Sequence, residues 1–268
     1  MQVPEAGRQG ITMLIDLLPL LPLLLMGVVA GVLSGLLGIG GGLVFAPMLM
    51  LIGLPPHEAL ATSTVAIVPT TLGGTWSHLR QGRLALRPCL AIGVAAALSG
   101  LAFSRLGGLL QGWQLLALQA VMYTALAFTI EPRREAAACA DAPPVPLTGL
   151  VAVGGVSGFA GGLLGVGGGL MMVPLMVKGL MMPLHAAIRL STLAVLCSAS
   201  AASVEFLSGG RADPVMALWL GGSAAVAARW SAARLEKVSE RLLVRMLRTI
   251  TVALALDTGR RGLQLLLA

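Results

Sequence analysis

Long uncharged stretches dominate the chain, and short charged gaps separate them. Residues 17–54 contain no charged side chain, and neither do residues 145–177. Because about 20 apolar residues span the hydrocarbon core of a bilayer, each of these stretches is longer than one crossing. The pattern therefore predicts an all-α polytopic membrane protein.

The residues that interrupt the apolar runs predict where the helices of the first half end. A helix over about 13–37 is broken by the run Gly38-Ile39-Gly40-Gly41-Gly42, here called the first break. A short apolar piece follows and ends at Pro55-Pro56. The apolar pattern predicts this piece at about 42–54 and three further helices at about 58–78, 88–106 and 112–130.

A polar segment at 131–146 divides the chain. It holds four prolines and five charged residues, so it cannot remain helical in lipid. We accordingly expect a first membrane repeat at 1–130, with an N-terminal tail at 1–12. The segment 131–146 is the expected linker, and 147–268 is the second membrane repeat.

The second half repeats the pattern of the first. The stretch Ser34–Pro47 aligns with Gly161–Pro174 at an offset of 127, which places a second break at 165–169. After a one-residue insertion, Ser63-Thr64 aligns with Ser191-Thr192 at an offset of 128. The alignment predicts two homologous repeats of about four transmembrane helices, each with a glycine-broken helix.

Composition agrees with a membrane protein. Only 11% of the residues are charged, against about 25% in soluble domains, and mean hydropathy is +0.91. The net charge of +7 could suggest a nucleic-acid partner, but the basic residues lie in short gaps between apolar runs and form no basic face. We expect the lipid bilayer as a partner and no nucleic acid.

The distribution of basic residues predicts the orientation of the repeats. If each half has an odd number of crossings, thirteen of the 18 Lys and Arg residues lie on one side of the membrane. The positive-inside rule therefore favours inverted repeats with a cytoplasmic linker. Residues 229–248 alternate charged and apolar side chains, which predicts an amphipathic helix lying against lipid headgroups on that side.

The two breaks are the candidate substrate site. A glycine run unwinds a helix, and the apolar piece after it begins with free backbone N–H groups and the positive end of a helix dipole. Such an end can hold an anion without a basic side chain. Close helix packing is the alternative explanation of the glycines. The glycines concerned are Gly38, Gly40, Gly41 and Gly42 with their copies Gly165, Gly167, Gly168 and Gly169.

The paired Gly-Leu-Leu-Gly-Ile/Val-Gly-Gly-Gly motifs, each followed by Pro and then by His-x-Ala-x-x-x-Ser-Thr, resemble the TauE/SafE family of sulfite and organosulfur anion exporters. The resemblance implies a carrier in the bacterial inner membrane for small sulfur-containing anions such as sulfite, sulfoacetate or thiosulfate. It maps the family's Ser/Thr positions onto Ser63, Thr64, Ser191 and Thr192. Their hydroxyls could donate to an oxyanion, or equally to a carbonyl one turn earlier. Around Asp257 and Arg260-Arg261 the chain is less regular than the family pattern.

Other functional classes fit the sequence less well. An intramembrane enzyme needs a catalytic set, a GxSxG serine or an HExxH metal motif, and the sequence has none of these. A scaffold would not explain two broken helices, and a cation carrier would want acidic residues at mid-membrane. We expect no cofactor and no metal. The substrate, the direction of transport, the oligomeric state and a coupling ion, proton or sodium, stay open.

Overall fold

The computed structural model describes residues 20–82, 86–129 and 146–267, and in these ranges the chain folds into ten α-helices without a strand. The predicted tail 1–12 and all of the predicted linker except Pro146 lie outside the described residues. The helices of the first half are α1 (Leu20–Leu37), α2 (Gly42–Leu51), α3 (Pro56–Arg80), α4 (Leu86–Gly107) and α5 (Gly112–Thr129).

The second half has the same order of helices. Its elements are α6 (Leu147–Leu164), α7 (Gly169–Pro174), α8 (Leu184–Ser208), α9 (Pro214–Ala232) and α10 (Glu240–Leu267). A π-helical turn at Leu175–Gly179 continues α7, so the helical piece after the second break reaches Gly179. Pro55 and Pro183 stand just before α3 and α8, where a fixed proline φ suits a helix start.

The prediction of one amphipathic helix over 229–248 is wrong. Helix α9 ends at Ala232, a 3₁₀ turn follows at Leu235–Lys237, and α10 begins at Glu240. The interruption between α9 and α10 has a local cause. The backbone at Val238 is extended, and the Ser239 carbonyl oxygen accepts hydrogen bonds from N–H groups in the first turn of α10.

Helix α10 also explains how charges are accommodated near its end. Asp257 pairs with Arg261 at 2.8 Å and with Arg260 at 3.7 Å, at helical spacings of four and three residues. The carboxylate offsets part of the positive charge inside the helix. The helix therefore continues to Leu267 through a segment that is irregular in sequence.

Within the described residues, three helical segments are long and apolar enough to cross a membrane: Arg87–Gly107, Leu147–Leu164 and Leu184–Ser208. The first carries Leu90, Val94 and Leu98 at intervals of one turn on its outer face, and each is more than half exposed. A row of exposed large apolar side chains is what contact with lipid requires. These features are those of a helical membrane protein.

Two glycine stripes produce the closest helix packing. Gly27, Gly31 and Gly35 on α1 lie against α9, and a Cβ at Gly31 would collide with the Ala224 backbone. The corresponding stripe on α6 is Gly154, Gly158 and Gly162, which lie against α4 in the same way. Glycines spaced by four residues let two helix backbones approach each other in a membrane.

Two of the helix contacts between the two halves occur twice, the second time between the counterparts of the first two helices. Helix α1 packs on α9 and α6 on α4, and likewise α3 packs on α9 and α8 on α4. Helix α3 also packs on its own counterpart α8, and α5 packs on α10. The breaks therefore lie at the centre, between α3 and α8.

Candidate functional site

Each break is a short non-helical link with the same backbone geometry. Gly38, Gly40 and Gly41 have φ values of +67°, +79° and +82°. In the second break, Gly165, Gly167 and Gly168 have φ values of +65°, +74° and +73°. Three of the four glycines in each break are therefore required for a left-handed backbone, which other residues adopt at a cost of about 1–2 kcal/mol each.

The fourth glycine in each break allows the two breaks to touch. A Cβ at Gly42 would lie 3.1 Å from the Gly165 carbonyl oxygen. A Cβ at Gly169 would lie 2.7 Å from the Gly38 carbonyl oxygen and 2.8 Å from the Ile39 Cα. All residues of both breaks are buried, so the eight predicted glycines form one central cluster.

The central cluster contains backbone donors without partners. In the described part of the chain, no hydrogen bond is found for the N–H groups of Gly40, Gly41 and Gly42, or for those of their counterparts Gly167, Gly168 and Gly169. These groups immediately precede or begin α2 and α7, where the helix dipoles add positive potential. Because buried N–H groups are almost always paired, these six donors at one place suit a bound acceptor.

One serine connects each break to the opposite half. The Ser63 hydroxyl donates to the Gly165 carbonyl oxygen at 2.9 Å. Its counterpart Ser191 donates to the Gly38 carbonyl oxygen, also at 2.9 Å. Each bond pairs the first carbonyl of a break with a serine hydroxyl. The N–H groups named above are then the polar backbone groups of the break that lack partners.

The neighbouring threonines bond within their own helices. Thr64 donates to the Leu60 carbonyl at 2.8 Å and Thr192 to the Ile188 carbonyl at 2.8 Å. This is the second of the two arrangements expected from the sequence, a bond to a carbonyl one turn earlier. In this structure the hydrogens of all four predicted hydroxyls are therefore directed at carbonyls.

Two polar side chains beside the second break were not predicted from the sequence. Ser157 on α6 and Ser198 on α8 are fully buried, and their hydroxyl oxygens have no hydrogen-bond partner in the structure. A single serine in an apolar helix gives no sequence signal by itself. Comparison of the repeats could have singled them out, because Ser157 aligns with Ala30 and Ser198 with Thr70.

A small cavity of about 20 Å³ lies beside the second break, large enough for one water molecule. Leu60 and Leu163 line its inner side, and His57 and Arg211 line another part of its wall. A Cβ at Gly165 would lie 2.6 Å from the Leu60 carbonyl oxygen. Leu60 therefore both lines the cavity and contacts the second break.

The arginine of this cavity belongs to a charged group. Glu205 lies 3.6 Å from Arg211 and 3.2 Å from Arg105, so two cations face one carboxylate. The Arg211 guanidinium also lies 5.0 Å from the centre of the Phe206 ring. This end of the cavity therefore has an excess of positive charge, which attracts small anions.

Comparison with known proteins identifies the family of the chain. The family model described as "Sulfite exporter TauE/SafE" matches residues 23–258, which include both breaks and nearly all described helices. The chain belongs to the TauE/SafE family. The resemblance inferred from the glycine motifs is thereby confirmed.

Curated relatives have the same general description. A probable membrane transporter protein, YunE of Bacillus subtilis (strain 168), is 24% identical over 90% of this chain and 97% of its own length. A probable membrane transporter protein of Xylella fastidiosa (strain 9a5c) is 30% identical over 63% of this chain and 67% of its own. The TauE/SafE family protein 3 of Arabidopsis thaliana, a sulfite exporter by name, is 44% identical over 15% of this chain and 9% of its own. This TauE/SafE protein is therefore similar to membrane transporters.

Proposed function

We propose that this TauE/SafE protein is a secondary transporter that moves a small sulfur-containing anion across the bacterial inner membrane. Sulfite, sulfoacetate and thiosulfate represent the substrate class. The observation that carries the proposal is the set of six buried backbone N–H groups of glycines without partners at the two breaks. Donors without acceptors, at two helix starts, suit an anion and repel a cation.

The binding site in this proposal is the central cluster of both breaks. Each helix start offers roughly half a positive charge, so two of them together suit an anion of one or two negative charges. No Lys or Arg is in either break, so we expect modest affinity, with Kd between about 1 µM and 1 mM. Such an affinity lets a carrier release its substrate.

We assign the predicted serines and threonines a supporting part in this site. Ser63 and Ser191 hold the break carbonyls, which keeps the unpaired N–H groups available to the ligand. Thr64 and Thr192 line the same turns of α3 and α8 and bond to their own helices. Direct donation to the substrate would require each hydroxyl to leave its carbonyl, at a cost of about 0.5–1.5 kcal/mol.

We further propose that the halves are inverted repeats, 1–130 and 147–268, with the linker 131–146 in the cytoplasm. The exchange of helix pairs between halves supports two copies of one unit, and the bias of basic residues supports the inverted arrangement. Single cysteines at Ala138 and Lys237, with Cys89, Cys139 and Cys197 replaced, test it. Both should be protected from an impermeant thiol reagent in intact cells, and labelling of only one from outside would reject inversion.

Binding of anions to the purified full chain tests the function. Calorimetry and thermal stabilisation in detergent should respond to sulfite, thiosulfate or sulfoacetate, and not to sodium or potassium when chloride is held constant. Uptake of the responding anion into proteoliposomes should saturate. Binding of a different inorganic anion alone would correct the substrate class. Selective binding of an alkali cation, without any response to the oxyanions, would reject the proposal.

A further inference from the structure

Two hydroxyls beside the second break lack hydrogen-bond partners, as does Thr75 farther along α3, whereas five other hydroxyls of α3 and α8 are bonded. Ser63, Thr64 and Thr70 on α3 donate to carbonyls of their own helix, and so do Ser191 and Thr192 on α8. The hydroxyls of Ser157 and Ser198 make no such bond, although these residues are 0% and 1% exposed. A buried hydroxyl without a partner is unfavourable, so it indicates that a ligand completes the bonding.

Both serines lie against the second break. A Cβ at Gly161 would lie 3.2 Å from the Ser198 Oγ and 2.8 Å from the Gly168 nitrogen, so these two polar atoms border the same space. A Cβ at Gly168 would lie 3.4 Å from the Ser157 Cβ. The two hydroxyls and the unpaired N–H groups of Gly167 and Gly168 thus come from α6, α8 and the break between α6 and α7.

The first break lacks these groups. Its residue equivalent to Ser157 is Ala30, which has no hydroxyl. Its residue equivalent to Ser198 is Thr70, whose hydroxyl donates to the Ala66 carbonyl at 2.8 Å. The two breaks share a backbone geometry, but at these two pairs of equivalent positions, all of which the structure describes, unpartnered hydroxyls occur beside the second break alone.

We infer that Ser157 and Ser198 bind the oxygen atoms of the anionic substrate together with the N–H groups of Gly167 and Gly168. The inference rests on the proposed function and makes the site asymmetric. An oxyanion such as sulfite accepts several hydrogen bonds at once, and a serine hydroxyl can donate one to each of its oxygens. The first break then contributes mainly the potential of its helix start, and the second break determines how the anion is oriented.

Three variants of the full chain test this site. Ser157→Ala and Ser198→Ala each remove one donor, and Thr70→Val removes the equivalent hydroxyl of the first break at nearly constant volume. Because a hydrogen bond to a charged group is lost, sulfite or thiosulfate should bind about tenfold more weakly to each serine variant. Thr70→Val should bind like the unmodified protein. Calorimetry measures the affinities, with chloride held constant.

The stability of the ligand-free variants separates a binding role from a structural one. Since neither serine hydroxyl has a partner without ligand, the Tm of both alanine variants should stay within about 2 °C of the unmodified protein or rise. A fall in Tm with unchanged anion affinity would show that the hydroxyls are structural. Unchanged affinity in both serine variants overturns the inference and leaves the proposed function standing. Failure of the unmodified protein to bind any oxyanion would overturn both.

Discussion

The first and second breaks have nearly the same backbone but different surroundings. Their left-handed glycines agree within about ten degrees in φ, and each carbonyl at the start of a break accepts from a serine of the other half. Beside the second break lie Ser157 and Ser198 with hydroxyls that have no partner, whereas the equivalent residues of the first half are Ala30 and Thr70, whose hydroxyl bonds to its own helix. The helical pieces differ too, since the second changes to π geometry after Pro174.

This difference separates two tasks within one site. In the proposed site, the glycines and the bonds that Ser63 and Ser191 donate to the opposite break, here called the crossing serine bonds, build a pair of anion-accepting backbones. The inferred side-chain donors would orient one ligand, and a single small anion needs them on one side only. On this proposal, repeated sequence marks the scaffold, and departures from the repeat mark ligand contacts.

The largest expected effect comes from adding a methyl group to a left-handed glycine. In Gly168→Ala the new Cβ would collide with the Ser157 carbonyl oxygen, in addition to the unfavourable φ. In Gly41→Ala it would meet the edge of the Phe45 ring at 2.9 Å, which can rotate away. We expect a loss of about 3–5 kcal/mol in the free energy of unfolding for Gly168→Ala and about 1–2 kcal/mol for Gly41→Ala.

Thermal unfolding in detergent measures both losses. Gly222→Ala is the matched control, because a Cβ there meets nothing within 4 Å and the residue is helical. Equal losses at Gly168 and Gly41 would contradict the difference in surroundings. No loss at either would mean that the left-handed backbone is not required.

The crossing serine bonds should matter equally in the two breaks. Ser63→Ala and Ser191→Ala each leave a buried break carbonyl without its donor, which costs about 1–3 kcal/mol. Thr64→Val and Thr192→Val remove only a bond within a helix, whose carbonyl keeps its backbone partner, and should cost less than about 1 kcal/mol. Chemical or thermal unfolding of the four variants checks this order. If a threonine-to-valine variant proved less stable than the neighbouring serine-to-alanine variant, the crossing serine bonds would not be the main stabilising contacts of the breaks.

The smallest expected effect concerns Arg211 at the cavity beside the second break. Arg211→Gln removes one of the two cations that face Glu205, so anion affinity should fall about two- to fivefold at low salt. The loss should disappear near 0.5 M salt, because surface charges are then screened. A loss that persists at high salt would instead place Arg211 in direct contact with the anion.

Much of the fold could be predicted from the sequence because glycine, proline and apolar runs act locally. The end of α1 at Leu37, the start of α2 at Gly42 and the start of α3 beside Pro55-Pro56 all follow from such local constraints. The kink between α9 and α10 was missed, since the extended Val238 has no sequence signal comparable to proline. The four-residue spacing of the stripe Gly27-Gly31-Gly35 is visible in the sequence, whereas the helix against which it packs is not.

The candidate site could be predicted in part. The eight glycines were identified from the repeat, and the contact between the two breaks depends on long-range packing that no local pattern encodes. The Ser63 hydroxyl lies 2.9 Å from the Leu60 carbonyl of its own helix and 2.9 Å from the Gly165 carbonyl of the opposite break, and this second contact likewise depends on packing. Ser157 and Ser198 were invisible as motifs, because one hydroxyl in an apolar helix is ordinary until its partners are known.

The position of a bound anion tests the central claim most directly. Selenite is a close analogue of sulfite, and anomalous scattering locates its selenium in crystals of the full chain. We expect the selenium at the second break, with oxygens about 2.7–3.2 Å from the Gly167 and Gly168 nitrogens and from the hydroxyls of Ser157 and Ser198. Selenium found only at surface arginines, with both breaks free of selenite, would contradict the claim that the glycine breaks bind the transported anion.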